Sequence, residues 1–182
     1  MKYFIGIIPP EETKSRINNF QRSFSSNKLP YIFEPHITVK SWGGLTDDLM
    51  WLDRVIPIIE EYPTFEICLN GVGSFRDDVV ILKPVFSKEL LALHKKILDI
   101  IGPNGYNTYK NFFEGDAYEA HFTLGMNSWG MTKDELFSLK DMGIKELSDI
   151  PKFNVTFLRV YRQEKIDEPY KKFIDIKLND KK

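Results

Sequence analysis

Tyr3 to Ile8 is a continuously apolar run that stops at Pro9-Pro10, the pattern of a short strand buried on both faces. Pro10 suits a first helical position, and Ile17, Phe20 and Phe24 recur at i, i+3 and i+7, which predicts an amphipathic helix. Glu34-Pro35-His36-Ile37-Thr38-Val39 reads as a second strand, because the residue before a proline is pushed to extended geometry and the next four alternate polar and apolar. Gly43-Gly44 ends it. Thr46 can cap a helix with Leu49, Leu52 and Ile56 on one stripe, which Pro57 is expected to kink or finish. Phe65 to Leu69 alternates again, with Cys68 read as a small buried strand residue, and Arg76-Asp77-Asp78 separates it from the apolar strand Val79 to Leu82. Ser87 caps an amphipathic helix with Leu90, Leu93, Ile97 and Ile101 inward, ending near Gly102-Pro103.

A long loop from Pro103 to Glu119 follows, and its Tyr106, Tyr109, Phe112, Phe113 and Tyr118 suit a lid or a base platform. The second half then repeats the plan of the first. Ala120 to Gly125 is a strand, Thr132 and Glu135 form a capping box at the head of a helix, Phe153 to Tyr161 is a long strand, and Lys172 to Leu178 is the last. The order strand, helix, His-x-Thr strand, helix, strand therefore occurs twice, starting at Tyr3 and again at Val79, and implies an internal duplication. Lys165 to Lys172 is charged without a sign bias and reads as a solvated hairpin loop.

Composition narrows the function. With 182 residues, 42% apolar and 14% aromatic, the chain can pack a sizeable core as one compact domain or two intertwined lobes. Its 25 Lys and Arg nearly balance 26 Asp and Glu, which excludes the basic excess of a protein gripping a long duplex, so any nucleic-acid ligand should be small. The single Cys68 excludes an internal disulfide and a Cys-based zinc site. The first apolar stretch is too short for a signal peptide and no segment approaches the roughly 20 apolar residues of a bilayer span. A cytoplasmic protein with no membrane contact and no obligate protein partner is expected.

Two of the three histidines stand in one tetrapeptide form, His36-Ile37-Thr38-Val39 and His121-Phe122-Thr123-Leu124. In a strand, His36 and Thr38 share one face while Ile37 and Val39 point into a core, and His121 with Thr123 behaves alike. A two-fold relation between the halves would then bring two imidazoles and two hydroxyls to a common cleft. One neutral imidazole can take a proton from an attacking water or hydroxyl while the other, charged, gives one to the leaving oxygen. The hydroxyls can donate to the non-bridging oxygens of a phosphodiester, and no metal or other cofactor is required. Lys40 is expected on the face of His36 and Thr38, where it would add positive charge. Trp42 and Trp129 follow the two motifs near glycines and could stack on a base, as could Tyr109. His94 has no threonine partner and is read as structural.

On these motifs the chain resembles the 2H phosphoesterase superfamily, which includes 2'-5' RNA ligase-like and cyclic nucleotide phosphodiesterase groups. The double proline after the first strand, Glu34-Pro35 before the first motif, and a hairpin over Leu69 to Phe75 extend the likeness over nearly the whole chain. The resemblance implies an α+β fold of two pseudo-two-fold related lobes, each with a mainly antiparallel sheet and outer helices, around a central cleft. It also implies metal-free catalysis by His36 and His121, with Thr38 and Thr123 on the phosphate. The implied substrates carry a 2',3'-cyclic phosphate, opened to a 2'-phosphate, or a 2'-5' linkage at a nucleotide or RNA end. Ala120 stands where many relatives have proline, and Gly125-Met126 follows with no nearby arginine, so a hydrolase rather than a ligase is expected. The alternative is a binding module that keeps the cleft without turnover.

Overall fold

A computed structural model describes residues 1–102 and 114–180 of the chain. The first apolar run is β1 (Lys2–Ile7), buried at every position after Lys2. Pro10 precedes α1 (Glu11–Arg22), which turns Ile17 and Phe20 inward and sets Glu11 and Glu12 against the positive end of its dipole. The first motif strand, β2 (Ile37–Lys40), begins after His36. Ser87 accepts a hydrogen bond from the Leu90 N–H (3.1 Å) at the head of α3 (Lys88–Ile101), and Leu90, Leu93, Ile97 and Ile101 are buried as the pattern requires. The second motif gives β6 (Phe122–Met126), and the Thr132/Glu135 capping box heads α4 (Lys133–Glu146).

Several elements depart from the local pattern. Helix α2 (Met50–Glu61) starts later than Thr46, because Leu49 takes a left-handed conformation (φ 60°) and the Asp48 carboxylate accepts from the Met50 N–H (3.1 Å). Its buried stripe is Trp51, Leu52, Val55 and Ile59 rather than Leu49, Leu52 and Ile56. Pro57 does not end it; the residue is exposed, so the carbonyl left without an amide partner faces water. Phe65 to Leu69 divides into β3 (Phe65–Ile67) and β4 (Leu69–Phe75), and Cys68, at the break, is exposed rather than buried. Residues Leu69 to Phe75 form one strand, not a hairpin, and the turn falls at Arg76 (φ 50°) before β5 (Val79–Pro84). Phe153 to Tyr161 divides likewise at Thr156 into β7 (Phe153–Val155) and β8 (Phe157–Gln163), with β9 (Lys171–Lys177) last. The cause of both breaks is non-local: β3 and β7 leave the main sheet and pair with each other, Glu66 opposite Asn154.

The fold is α+β, with four α-helices among the described residues on a mainly antiparallel sheet of order β4-β5-β6-β2-β1-β8-β9. Outward from the junction of β6 and β2 the order is β5, β4 on one side and β1, β8 on the other, so equivalent strands of the two repeats occupy equivalent places. The ladders match in detail. Gly6 pairs with Thr38 but Ile5 with Lys40, leaving Val39 as an extra residue; Ile81 pairs with Thr123 but Val80 with Gly125, leaving Leu124. Each motif strand thus carries a β-bulge one residue after its threonine. The two half-sheets join edge to edge through one registered pair, Ile37 opposite Phe122.

Candidate active site

That pair sets the geometry. Antiparallel counting from Ile37 opposite Phe122 puts His36 beside Thr123 and Thr38 beside His121, on the face opposite the fully buried Ile37 and Phe122. All four polar residues are half-buried. The imidazoles are held identically: His36 Nδ1 bonds the Glu34 carbonyl at 2.8 Å and His121 Nδ1 bonds the Glu119 carbonyl at 2.7 Å. A carbonyl only accepts, so in each ring Nδ1 carries the hydrogen and Nε2 is the nitrogen left without it.

Their surroundings differ. His36 lies among aromatic rings, with centroids of Phe4 at 4.6 Å, Phe33 at 5.8 Å and Tyr161 at 5.9 Å. Burial, reinforced by the like charge His121 would carry, pushes its pKa down to about 4, against the Glu34 carbonyl bond. Gly6 lies against this ring: a Cβ there would crowd the Ile37 oxygen at 3.2 Å and reach contact distance of His36 Cδ2 at 3.5 Å. Behind His36, the Glu34 carboxylate accepts from Arg159 Nη1 (2.7 Å) and the Tyr161 hydroxyl (2.5 Å), while Arg159 grips Asp175 through Nε (2.7 Å) and Nη2 (2.9 Å). His121 stands edge-on to Phe75 at 4.9 Å. Lys83, next in register after Leu82 opposite Phe122, pairs with Glu119 at 2.6 Å. Burial lowers the His121 pKa and Lys83 adds to this, opposed by the carbonyl and carboxylate of Glu119. A surface cavity of about 190 Å³ opens beside this strand between Lys83, Phe86, Leu91 and Tyr118.

Lys40 is a correction to the sequence reading. The bulge at Val39 turns it from the face of Thr38 to the interior, where it is fully buried and its ammonium meets Glu114 (2.9 Å) and the Ser41 carbonyl (2.8 Å). Trp42 lies past the other end of β2, its ring 5.6 Å from the Lys2 ammonium. Trp129 is on the His36 side, edge-on to Phe33 at 5.7 Å. Tyr109, with Tyr106, Phe112 and Phe113, lies outside the described residues. The loop after β8 is not wholly solvated: Tyr170 stacks on Phe33 at 4.9 Å. The Glu34 carboxylate, Arg159, Tyr161, Phe33 and Lys83 escaped the sequence reading; the one available signal was an arginine within an otherwise apolar strand, Phe157 to Tyr161. Among the described residues no group of three His, Cys, Asp or Glu could hold a metal ion, and no helix is long and apolar enough to cross a membrane.

Two His-x-Thr strands are thus joined at the centre of a pseudo-symmetric antiparallel sheet. The chain belongs to the 2'-5' RNA ligase superfamily, whose family model matches residues 9–166. Its fold is similar to that of E. coli LigT complexed with 3'-AMP, with a TM-score of 0.65 at 16% identity over 97% of each chain. It is also similar to TT0787 of Thermus thermophilus (TM-score 0.66, 15% identity, 100% of each chain) and to Kluyveromyces marxianus Usb1 (0.50, 14%, 97% of each). No curated protein matches the chain by sequence.

Proposed function

We propose that the chain, as one bilobal domain, is a metal-independent hydrolase that opens 2',3'-cyclic phosphates or cleaves 2'-5' linkages at nucleotide or RNA ends. The observation that carries this reading is the matched pair of Nδ1-to-carbonyl hydrogen bonds, which leave two Nε2 atoms for proton transfer beside two threonine hydroxyls. In the cyclic case a neutral imidazole takes a proton from water as its oxygen bonds to phosphorus. The bond from phosphorus to the 3'-oxygen breaks, and the other, charged, imidazole gives that oxygen a proton, leaving a 2'-phosphate and a 3'-hydroxyl. Thr38 and Thr123 donate to the non-bridging oxygens, and the Lys83 ammonium adds positive charge on the His121 side. The edge of Phe33, Tyr170 and Trp129 beside His36 offers aromatic faces to a base. Support for a nucleotide ligand comes from E. coli LigT, whose structures hold 3'-AMP, NADP+ and ATP. Phosphorus NMR of the protein with 2',3'-cyclic AMP and with cyclic-phosphate RNA ends tests the reading. A 2'-phosphate product that forms equally after prolonged chelation is expected. Binding without turnover would leave the binding-module alternative, and activity lost on chelation and restored by zinc or manganese would refute the metal-free chemistry.

A further inference from the structure

We propose that Gln21 and Asn27 on one side, and Tyr118 and His94 on the other, are positioning residues that clamp the two motif strands at their bulges; this rests on the function proposed above. The motif threonine and the residue after it have their backbone carbonyls taken by side chains in both halves. The Thr38 carbonyl accepts from the Tyr118 hydroxyl (2.7 Å) and the Val39 carbonyl from His94 Nδ1–H (2.6 Å). Correspondingly, the Thr123 carbonyl accepts from Gln21 Nε2 (2.9 Å) and the Leu124 carbonyl from Asn27 Nδ2 (2.9 Å). In each half one donor comes from a helix and one from the segment after it, in crossed order: His94 of α3 takes the Val39 carbonyl and Tyr118 the Thr38 carbonyl, whereas Gln21 of α1 takes the Thr123 carbonyl and Asn27 the Leu124 carbonyl.

The need is built into the strands. Only Ile37 and Phe122 are paired between β2 and β6, and a bulge interrupts each ladder to the outer strand at the residue after the threonine. A bulge leaves local backbone groups unpaired and re-aims the neighbouring side chains, so a donor fixed from outside decides where the threonine points. The donors are themselves fixed. His94 Nε2 accepts from the Gly115 N–H (2.8 Å), and its ring stacks on Tyr118 at 3.9 Å and 12°. Asn27 Oδ1 accepts from the Leu29 N–H (3.2 Å), and its Nδ2 also reaches the Gln21 carbonyl (3.1 Å).

Gln21, Asn27 and His94 are at most 2% exposed. Gln21 Oε1 is buried without a hydrogen-bond partner among the described residues, an arrangement that costs stability. What Gln21 holds is the Thr123 carbonyl, through Nε2. Since rates of positioned groups fall steeply with sub-ångström misplacement, the clamps act on turnover through the threonines.

The test is a pair of double-mutant cycles on 2',3'-cyclic AMP, following kcat and KM, with thermal unfolding of every variant. Tyr118→Phe keeps the ring on His94 and removes only the hydroxyl; Gln21→Met keeps the length and removes the donor. Each is expected to lower kcat by about 3- to 20-fold with KM little changed. Tyr118→Phe should cost less than about 2-fold in a Thr38→Val background but its full factor in a Thr123→Val background, and Gln21→Met should show the mirror image. Losses that multiply equally with both threonines, or no loss in either single variant, would overturn the clamps. If Gln21→Met does not fold, the Tyr118 arm alone decides. A wild-type protein inert toward the substrate would instead sink the proposed function.

Discussion

Arg159 joins strand β8 to the carboxylate of Glu34, the residue whose carbonyl orients His36, and Arg159→Met measures that link. The guanidinium is 15% exposed and binds two carboxylates, Glu34 and Asp175, each 25% exposed. Methionine keeps the apolar stem but takes the guanidinium from both acids, Glu34 being left also with Lys14 at 3.5 Å. Removing one partner of a fully buried pair costs about 3 to 5 kcal/mol. Here Glu34 keeps the Tyr161 hydroxyl and Asp175 keeps Lys172 (2.6 Å), and water reaches both, so about 2 to 3 kcal/mol is expected, or roughly 5 to 10 °C in Tm. Burial would raise both carboxyl pKa values, but hydrogen bonds from Tyr161 and Arg159 on Glu34, and from Arg159 and Lys172 on Asp175, hold them below the usual range. Acids with depressed folded pKa values contribute stability present above about pH 4 that is lost as pH falls further. The difference between wild type and variant should therefore be full at pH 7 and shrink below pH 4. Turnover should also fall, because Glu34 presents the carbonyl that holds His36 Nδ1, and Arg159→Lys should recover part of both losses. Differential scanning calorimetry across pH, with kcat at pH 7, makes the comparison. A Tm change under about 2 °C at pH 7, or one that grows on acidification, would refute the reasoning.

Thr38→Val and Thr123→Val keep the β-branched shape and remove the hydroxyl, so each should lower kcat by about 10- to 150-fold with little change in Tm, and serine should restore much of it; steady-state kinetics of the valine and serine variants decide. The plot of kcat/KM against pH should be bell-shaped and centred below pH 6.5. Both imidazoles are depressed, so the neutral partner is lost only as pH falls toward about 4 and the charged partner is lost before the ordinary histidine range is reached; an optimum above pH 7 would contradict this. Gly6→Val places branched carbons against the His36 ring and the Ile37 carbonyl, and should reduce kcat at least about 10-fold, read beside a near-UV circular dichroism spectrum that stays close to wild type.

The fold was legible wherever its determinants are local. Ser87 and the Thr132/Glu135 box announced α3 and α4, and the repeated order of elements foretold a two-fold relation between the halves. What failed was set by distant partners. Cys68 and Thr156 look like strand interiors because nothing nearby in sequence says that β3 and β7 will pair with each other. Lys40 obeys the two-residue period on paper, and one extra residue in β2 against β1 reverses its face. The His-x-Thr residues were visible because they repeat. The groups around them were not, since Phe4, Phe33 and Tyr161 reach His36, and Tyr170 packs behind them on Phe4 and Phe33, from β1, β8 and two loops that share no spacing.

The central claim is that His36 and His121 are the two proton-transfer groups. The most direct measurement is the rate of 2',3'-cyclic AMP opening by His36→Ala and His121→Ala, with phosphorus NMR identifying the product and calorimetry following nucleotide binding. Each substitution should lower turnover by about 10² to 10⁴-fold while the variant still folds and still binds nucleotide, and His94→Gln should lose far less than either. Near-normal turnover in His36→Ala or in His121→Ala would contradict the account.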